Sequence, residues 1–518
     1  MNKFMIKNVD EMSVDELIGQ LIMIGLPYDY LDEKSKEFIK DFHIGNYILF
    51  ARNYTDSKQM KKFSKELYEL TTDITGSFPL ISIDQEGGMV TRLFKDVTFP
   101  ASPMTTSATS VKDAPRITGE IIGKDMLKMG INLNLAPCME INHNLASHLV
   151  TVRSYGGNKE IIRKNAGLFI QGLHDAGVLA CMKHFPGAGK ASKDSHLELP
   201  IIEESIKDLR NEEMYPFLHN LEADSLMSSH CLFQSFDTYP TTLSHKLLTE
   251  FLRDEIHFEG LIISDGMEMK AILDNYGIGN GSVIALKAGC DILLLCHEYD
   301  QQLEAFHAVK DAYNQGIITL DELKDKVRRI NHYKEKLING LNKYLDFDHD
   351  YEIVKEEHLL MEEIVDKSFT IIMGEAPSIK ESTLILTPPA RVATIVEDEF
   401  GKRDLTTILK DEFPQVKVME MLNDKSNEEE ILDSLENYDQ IIIYSYDVAY
   451  NHQQMDLINK VLEKHHNTYV VSLKGPIDRQ YFSYLKNYSC LYEYTPNSIK
   501  TIVKALHNQI KYEGRLPK

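Results

Sequence analysis

Tryptophan is absent from the 518 residues, so any flat face offered to a ligand must come from the 25 tyrosines and 21 phenylalanines. Cysteine is sparse: Cys138, Cys181, Cys231, Cys290, Cys296 and Cys490 lie mostly in or beside apolar runs, with no Cys-x-x-Cys spacing. That pattern reads as reduced, largely buried thiols and argues against a zinc site built on cysteine. Positive charge is also short. Lys and Arg number 56 against 79 Asp and Glu, a net charge of -23, which excludes nucleic acid as a partner because phosphate needs a basic face. No stretch of about 18 apolar residues occurs, so no membrane span is expected. Met1 to Asp15 alternates charges and lacks the apolar centre of a secretory signal. A soluble, cytoplasmic protein is the expectation.

The chain is longer than the usual domain of about 100 to 250 residues, so two cores are expected. Apolar runs with the look of buried parallel strands recur at 21–26, 47–50, 80–84, 131–136, 178–183, 225–230, 261–265 and 291–296, with amphipathic segments between most of them. This alternation predicts a (β/α)8 TIM-type barrel over 1–346. Ser13-Val14-Asp15-Glu16 is a capping box opening the first helix, and Asn158 to Ala176 has apolar residues at helical spacing. A long charged helix, Asp321 to Lys343, leads out of the barrel, and a linker helix is expected at about 352–367. Further apolar runs at 369–373, 383–387, 416–419, 441–446, 469–473 and 491–494 predict a smaller doubly wound α/β domain over 347–518. Its loops hold no dense cluster of reactive groups. Pro388-Pro389-Ala390-Arg391 and Gly475-Pro476 read as turns.

Chemistry concentrates where the barrel strands end. After the fifth run, the segment from Lys183 to His196 (KHFPGAGKASKDSH) packs two imidazoles, a carboxylate and three lysines into a Gly-rich loop. Asp194 and His196, two apart, have the makings of a carboxylate-oriented imidazole that gives and takes a proton. Asp84 to Arg92 (DQEGGMVTR) follows the third run, and Ser264 to Met269 (SDGMEM) contains the end of the seventh, so further acids emerge at strand ends. Asp265 is the candidate reacting carboxylate, ringed by the donors and acceptors Asp84, Arg92, Arg153, Lys183 and His184. No nucleophilic Ser or Cys motif is apparent. Taken singly, Asp84 and Arg92 also fit an internal ion pair, and Arg153 a helix-capping cation. His230, at the sixth strand end, fits an orienting residue and a satisfied core histidine equally, while His143, His148 and His174 read as structural or surface groups.

The sequence resembles family 3 of the glycoside hydrolases, in particular its β-N-acetylglucosaminidases of peptidoglycan recycling. DQEGGxVxR is met by Asp84 to Arg92, RSYG by Arg153-Ser154-Tyr155-Gly156, K-H-F-P-G-x-G-x4-D-S-H by Lys183 to His196, and S/T-D-x-x-x-M by Ser264 to Met269. The resemblance covers the whole barrel, and the second domain is similar to one that Gram-positive relatives append. It implies a retaining exo-β-N-acetylglucosaminidase, a β-N-acetylhexosaminidase, that removes terminal β-linked GlcNAc from cell-wall muropeptides or GlcNAc-MurNAc without cofactor or metal. Asp265 is then the nucleophile that forms a covalent glycosyl-enzyme, His196 the acid/base and Asp194 its partner. Asp84, Arg92, Arg153, Lys183 and His184 would grip the GlcNAc. Should His196 not serve, Glu86 and Glu268 are the acids that would take over. Ala188, where relatives often have His or Asp, and Glu140, where Asp is usual, depart from the family pattern.

Other readings stay open at this point. A β-N-acetylglucosaminide or β-glucoside phosphorylase of the same family would pass the glycosyl group to phosphate, which an imidazole repels less than a carboxylate does. A non-catalytic GlcNAc-binding sensor would be expected to lack Asp265 or His196, and both are present. A metal site of amidohydrolase type using His184, His196, His230 and Asp265 would begin with His-x-His on the first strand, and Leu21 to Leu26 contains none.

Overall fold

Eight short, predominantly apolar strands close into a barrel in the computed structural model, which describes residues 4–145, 150–189, 198–389 and 404–518. They are β1 (Ile22–Gly25), β2 (Asn46–Leu49), β3 (Leu80–Ile83), β4 (Leu133–Asn134), β5 (Leu179–Phe185), β6 (Ser225–Ser228), β7 (Leu261–Gly266) and β8 (Ile292–Leu295). Each pairs in parallel with its chain neighbours, and β1 closes on β8 through Ile22↔Leu293, Met23↔Leu294 and Ile24↔Leu295. Leu80, Ile81, Ile262 and Ile263 are fully buried although neighbouring side chains point to opposite faces. A parallel strand covered by helices outside and side chains inside is buried on both faces, which is why these strands are predominantly apolar and do not alternate with polar residues.

The helices follow the expected local rules. Ser13 and Glu16 close a reciprocal capping box on Val14–Gln20, satisfying backbone N–H groups that the first turn leaves unpaired. Asn158 caps Lys159–Ala176, which ends at Gly177 with φ 93°, a left-handed stop suited to glycine. The exit helix, Leu320–Tyr344, buries Leu323, Val327, Ile330, Leu337 and Leu341 along one stripe, and the helix Lys355–Asp366 follows it.

A second sheet gathers β9 (Thr370–Met373), β10 (Thr383–Thr387), β11 (Lys417–Glu420), β12 (Gln440–Ser445), β13 (Thr468–Ser472) and β14 (Asn487–Cys490) in the order β9-β14-β13-β12-β10-β11. The pairings are parallel except that of β9 with β14. The five parallel strands run second, first, third, fourth, fifth across the sheet, a doubly wound order. One expectation needs correction: the last strand is 487–490, not 491–494. Leu491, Tyr492, Glu493 and Tyr494 are buried, but the ladder with β13 has already ended at Ser472↔Cys490. Apolar character reported burial there, and burial alone does not imply a ladder partner.

All six cysteines are buried and free. Among the described residues, no helix is long and apolar enough to cross a membrane.

Candidate active site

The C-terminal ends of the barrel strands converge on one mouth, and the acids and bases collect there. Immediately after β3 the chain makes a small antiparallel hairpin, Gln85–Gly87 against Val90–Thr91, with Asp84 at its base and Glu86 on its first arm. Across the barrel Lys183 rises from β5 and is buried. Its ammonium lies 2.5 Å from Asp84 Oδ1 and 2.7 Å from Glu86 Oε1. Arg153, at the end of the short turn Thr151–Arg153, donates through Nε to Glu86 Oε2 at 2.9 Å and through Nη2 to Glu86 Oε1 at 2.7 Å. Such a planar two-pronged contact is the strong form of an Arg–carboxylate pair.

These charges hold each other in place. Burial works against ionising Glu86, but Arg153 and then Lys183 overcome it and hold the carboxyl far below the usual carboxylate range. Burial likewise works against the Lys183 charge, and Asp84 and Glu86 outweigh it, keeping the ammonium above its ordinary range. Glu86 is therefore a fixed anion that clamps two cations, which corrects its reading as a stand-in proton donor. Arg92 Nη2 stands 3.8 Å from Asp84 Oδ2, beyond hydrogen-bond reach, so this contact is purely electrostatic.

His184 follows Lys183 and turns the other way. Glu140 Oε1 accepts the His184 backbone N–H at 2.9 Å and stands 2.7 Å from Nδ1, while the Cys138 thiol donates to Glu140 Oε2 at 2.6 Å. Burial opposes the charge on Glu140, and His184 and the thiol together hold its pKa below normal. A parallel bridge between Cys138 and Lys183, with Met139 N donating to Lys183 O at 2.6 Å, sets this pair of segments side by side. Glu140, noted in the sequence only as a departure, is thus what orients the His184 ring. A carboxylate one methylene longer still reaches because it comes from the next strand end.

Asp265 ends the ionisable series on β7. Its Oδ1 accepts the Gly266 N–H at 2.8 Å, a contact that fixes the carboxylate against its own backbone. His230 supports the same turn from beneath: Nε2 donates to Gly266 O at 2.9 Å and Nδ1 is 2.8 Å from Thr242 Oγ1, with the ring fully buried. Of its two sequence readings, the orienting one fits, since Gly266 is the residue after Asp265. His143 and His174 pair with Glu213 at 2.5 Å and Asp224 at 2.7 Å.

Beyond Asp265 the rim is built by Glu268, Cys296, His297 and Arg52. Glu268 Oε1 accepts the His297 N–H at 3.0 Å, and its Oε2 is buried with no partner among the described residues. Burial raises its pKa. Burial and then the nearby carboxylates Glu268, Asp265 and Asp84 push the Cys296 thiol well above its ordinary range, so it is no nucleophile. Asp265 and Glu268 from the end of β7 and Asp84 from the end of β3 thus act on one thiol, which places Asp84 and Asp265 in the same mouth. Arg52 donates to Cys296 O at 2.7 Å and Leu26 O at 2.9 Å, tying β8, β1 and β2 together.

The structure therefore brings Arg153 and Lys183 together on Glu86 and Lys183 and Arg92 together on Asp84, sets His184 next to them, and opens Asp265 onto the same mouth. Asp194 and His196 lie outside the described residues, as does His148. Among the described residues, no group of three or more His, Cys, Asp or Glu side chains is arranged to hold a metal ion. Fixed buried cations alternating with carboxylates suit a neutral, hydroxyl-rich ligand, because each hydroxyl can give to one group and accept from the next.

Comparison with known proteins agrees with this geometry. A beta-hexosaminidase of Pseudomonas aeruginosa is 30% identical over 279 residues, 54% of this chain and 82% of that protein. A glycoside hydrolase family 3 beta-N-acetylglucosaminidase from Paenibacillus sp. str. FPU-7 superposes with a TM-score of 0.90 at 29% identity, covering 98% of both chains. A beta-glucoside phosphorylase shares the fold with a TM-score of 0.80 at 22% identity, covering 98% of this chain and 94% of that one. Residues 13–333, which span the closed barrel and every acid and base of its mouth, match the glycosyl hydrolase family 3 N terminal domain, and the chain belongs to that family.

Proposed function

We propose that this protein is a retaining exo-β-N-acetylglucosaminidase that removes terminal β-linked GlcNAc from cell-wall fragments such as GlcNAc-MurNAc or a muropeptide. The observation that carries the proposal is Asp265 at the end of β7, opening on the same mouth as the Asp84–Lys183–Glu86–Arg153 array. In this reading Asp84, Arg92, Arg153, Lys183 and His184 hold the hydroxyls of the terminal sugar. Asp265 attacks the anomeric carbon as the glycosidic bond breaks, and His196, oriented by Asp194, gives its proton to the leaving oxygen. His196 then takes a proton from water, which displaces Asp265 and releases GlcNAc with its β configuration.

We take 1–346 as the catalytic barrel domain and 347–518 as a C-terminal α/β domain. The burial of all six free thiols supports a reducing setting, the cytoplasm. The test is the anomer first released from GlcNAc-MurNAc, followed by NMR at an early time point with and without inorganic phosphate. β-GlcNAc in both arms is expected. Initial α-GlcNAc would overturn retention, and glycosyl phosphate in the second arm would overturn hydrolysis.

A further inference from the structure

The hairpin that carries Asp84 and Glu86 is held from outside the barrel. Its turn residues Gly87 and Gly88 have φ 98° and 61°, and neither has room for a side chain: a Cβ on Gly87 would lie 2.2 Å from Ala101 O, and one on Gly88 2.4 Å from Ser102 Cβ. Gly88 N donates to Pro100 O at 3.0 Å. The two glycines therefore let the hairpin lie flat, backbone to backbone, on the segment 99–102.

That segment is itself gripped by the second domain. Glu493, fully buried, accepts the Ser102 N–H and the Thr105 hydroxyl through Oε2, each at 2.7 Å, and the Thr495 hydroxyl through Oε1 at 2.6 Å. Ser102 Oγ donates to Tyr492 O at 2.9 Å, and Asn497 Nδ2 to Phe99 O at 3.1 Å. Between Gly88 and Val90, Met89 is buried in an apolar cluster with Tyr446, Leu473, Leu491 and Tyr494 of the second domain, and it belongs to none of the barrel's clusters. The tip of the hairpin is thus anchored in one domain while its base presents Asp84 and Glu86 to the other.

We propose that the second domain is a brace for the sugar-binding hairpin, with Met89 and Glu493 as positioning residues that fix Asp84 and Glu86 against Lys183 and Arg153. The inference rests on the reading of Asp84 as a sugar contact. The brace acts before any bond breaks, so loosening it weakens ground-state and transition-state binding together, a KM effect with little change in kcat.

The full chain is compared with Met89→Ala, Met89→Leu and Ile443→Ala. Ile443 is buried in the separate cluster on the other side of the second sheet, so its truncation loosens that domain without touching the hairpin. Met89→Ala is expected to raise KM for an aryl β-GlcNAc and the calorimetric Kd for GlcNAc by about tenfold, with kcat within about threefold. Met89→Leu should restore both. Ile443→Ala should lower the unfolding temperature at unchanged KM. A folded Met89→Ala protein with wild-type KM and Kd, or an Ile443→Ala protein with an equal rise in KM, would overturn the brace. If wild-type protein bound no GlcNAc, the functional reading would fail instead. The brace would still be judged by amide exchange of residues 84–92, expected to quicken in Met89→Ala and not in Ile443→Ala.

Discussion

Glu86 receives both prongs of the Arg153 guanidinium, at 2.9 and 2.7 Å, and is almost wholly out of contact with solvent. Because Lys183 shares the same carboxylate, Glu86→Ala would leave two buried cations without the carboxylate that both of them touch. The loss of stability should be about 3 to 5 kcal/mol, the scale for breaking a buried pair from one side. The carboxyl titrates below its normal range in the fold, so this stabilisation is fully present above about pH 4.3 and is lost only as pH falls further. Denaturant unfolding of the variant at pH 7 measures it. A shift under about 1 kcal/mol would show the cations to be solvated after all.

Asp265 presents a different balance, since its Oδ1 accepts the N–H of its own neighbour Gly266 and its carboxylate sits at the end of β7, at the barrel mouth. Asp265→Asn should keep the unfolding temperature while lowering turnover of aryl β-GlcNAc by several orders of magnitude, because the lost group acts only in the transition state. Labelling by a 2-fluoro-sugar inactivator, followed by peptide mapping, should find Asp265. A label on Glu268 would move the nucleophile into the turn that follows β7.

Lys334 lies within the long charged exit helix, yet its side chain is fully buried against Gln20 at 3.2 Å. Burial lowers its pKa to about 7. The unfolded chain holds that proton up to about pH 10.4, so wild-type stability should rise between pH 7 and 10 by about 1.4 kcal/mol per unit. Below pH 7 both states are protonated and the cost is constant. Lys334→Met should be more stable than wild type at pH 7, and its advantage should shrink toward pH 10. An advantage that does not change over that range would mean the amine is solvated or paired.

What the sequence conveyed and what it withheld divide along physical lines. Barrel strands such as Leu80–Ile83 were legible because burial on both faces forces predominantly apolar runs, and capped helices because Ser13 and Asn158 mark their starts. The residues reaching from strand ends, Asp84, Lys183 and Asp265, were legible as motifs. Their partners were not: Glu140 finds His184, and Glu86 finds Arg153, through closure of the barrel, which brings together groups 44 and 67 positions apart. Met89 is the same lesson on the domain scale. Its position is unspecified in the motif, and only the packing of the two domains shows that its side chain enters the second domain's apolar cluster.

His196 carries the most exposed part of the proposed mechanism, because proton transfer by an imidazole two residues from Asp194 must be established by reactivity. A sugar alkoxide is a poor leaving group and needs a proton as the bond breaks, whereas an activated aryloxide leaves with little help. His196→Ala should therefore lose GlcNAc-MurNAc almost wholly but retain the first step on an activated aryl β-GlcNAc. Deglycosylation then limits turnover, so a burst of aryl alcohol and an accumulated glycosyl-enzyme on Asp265 should appear in rapid-quench mass spectra. Azide, which needs no base, should restore turnover as glycosyl azide of β configuration. Asp194→Asn should show a milder form, since the imidazole survives while its tautomer and basicity are no longer held. Equal losses on both substrates in His196→Ala, with no burst and no rescue, would transfer the acid/base role to Glu268, the remaining acid at this mouth whose pKa is raised and whose second oxygen lacks a partner among the described residues.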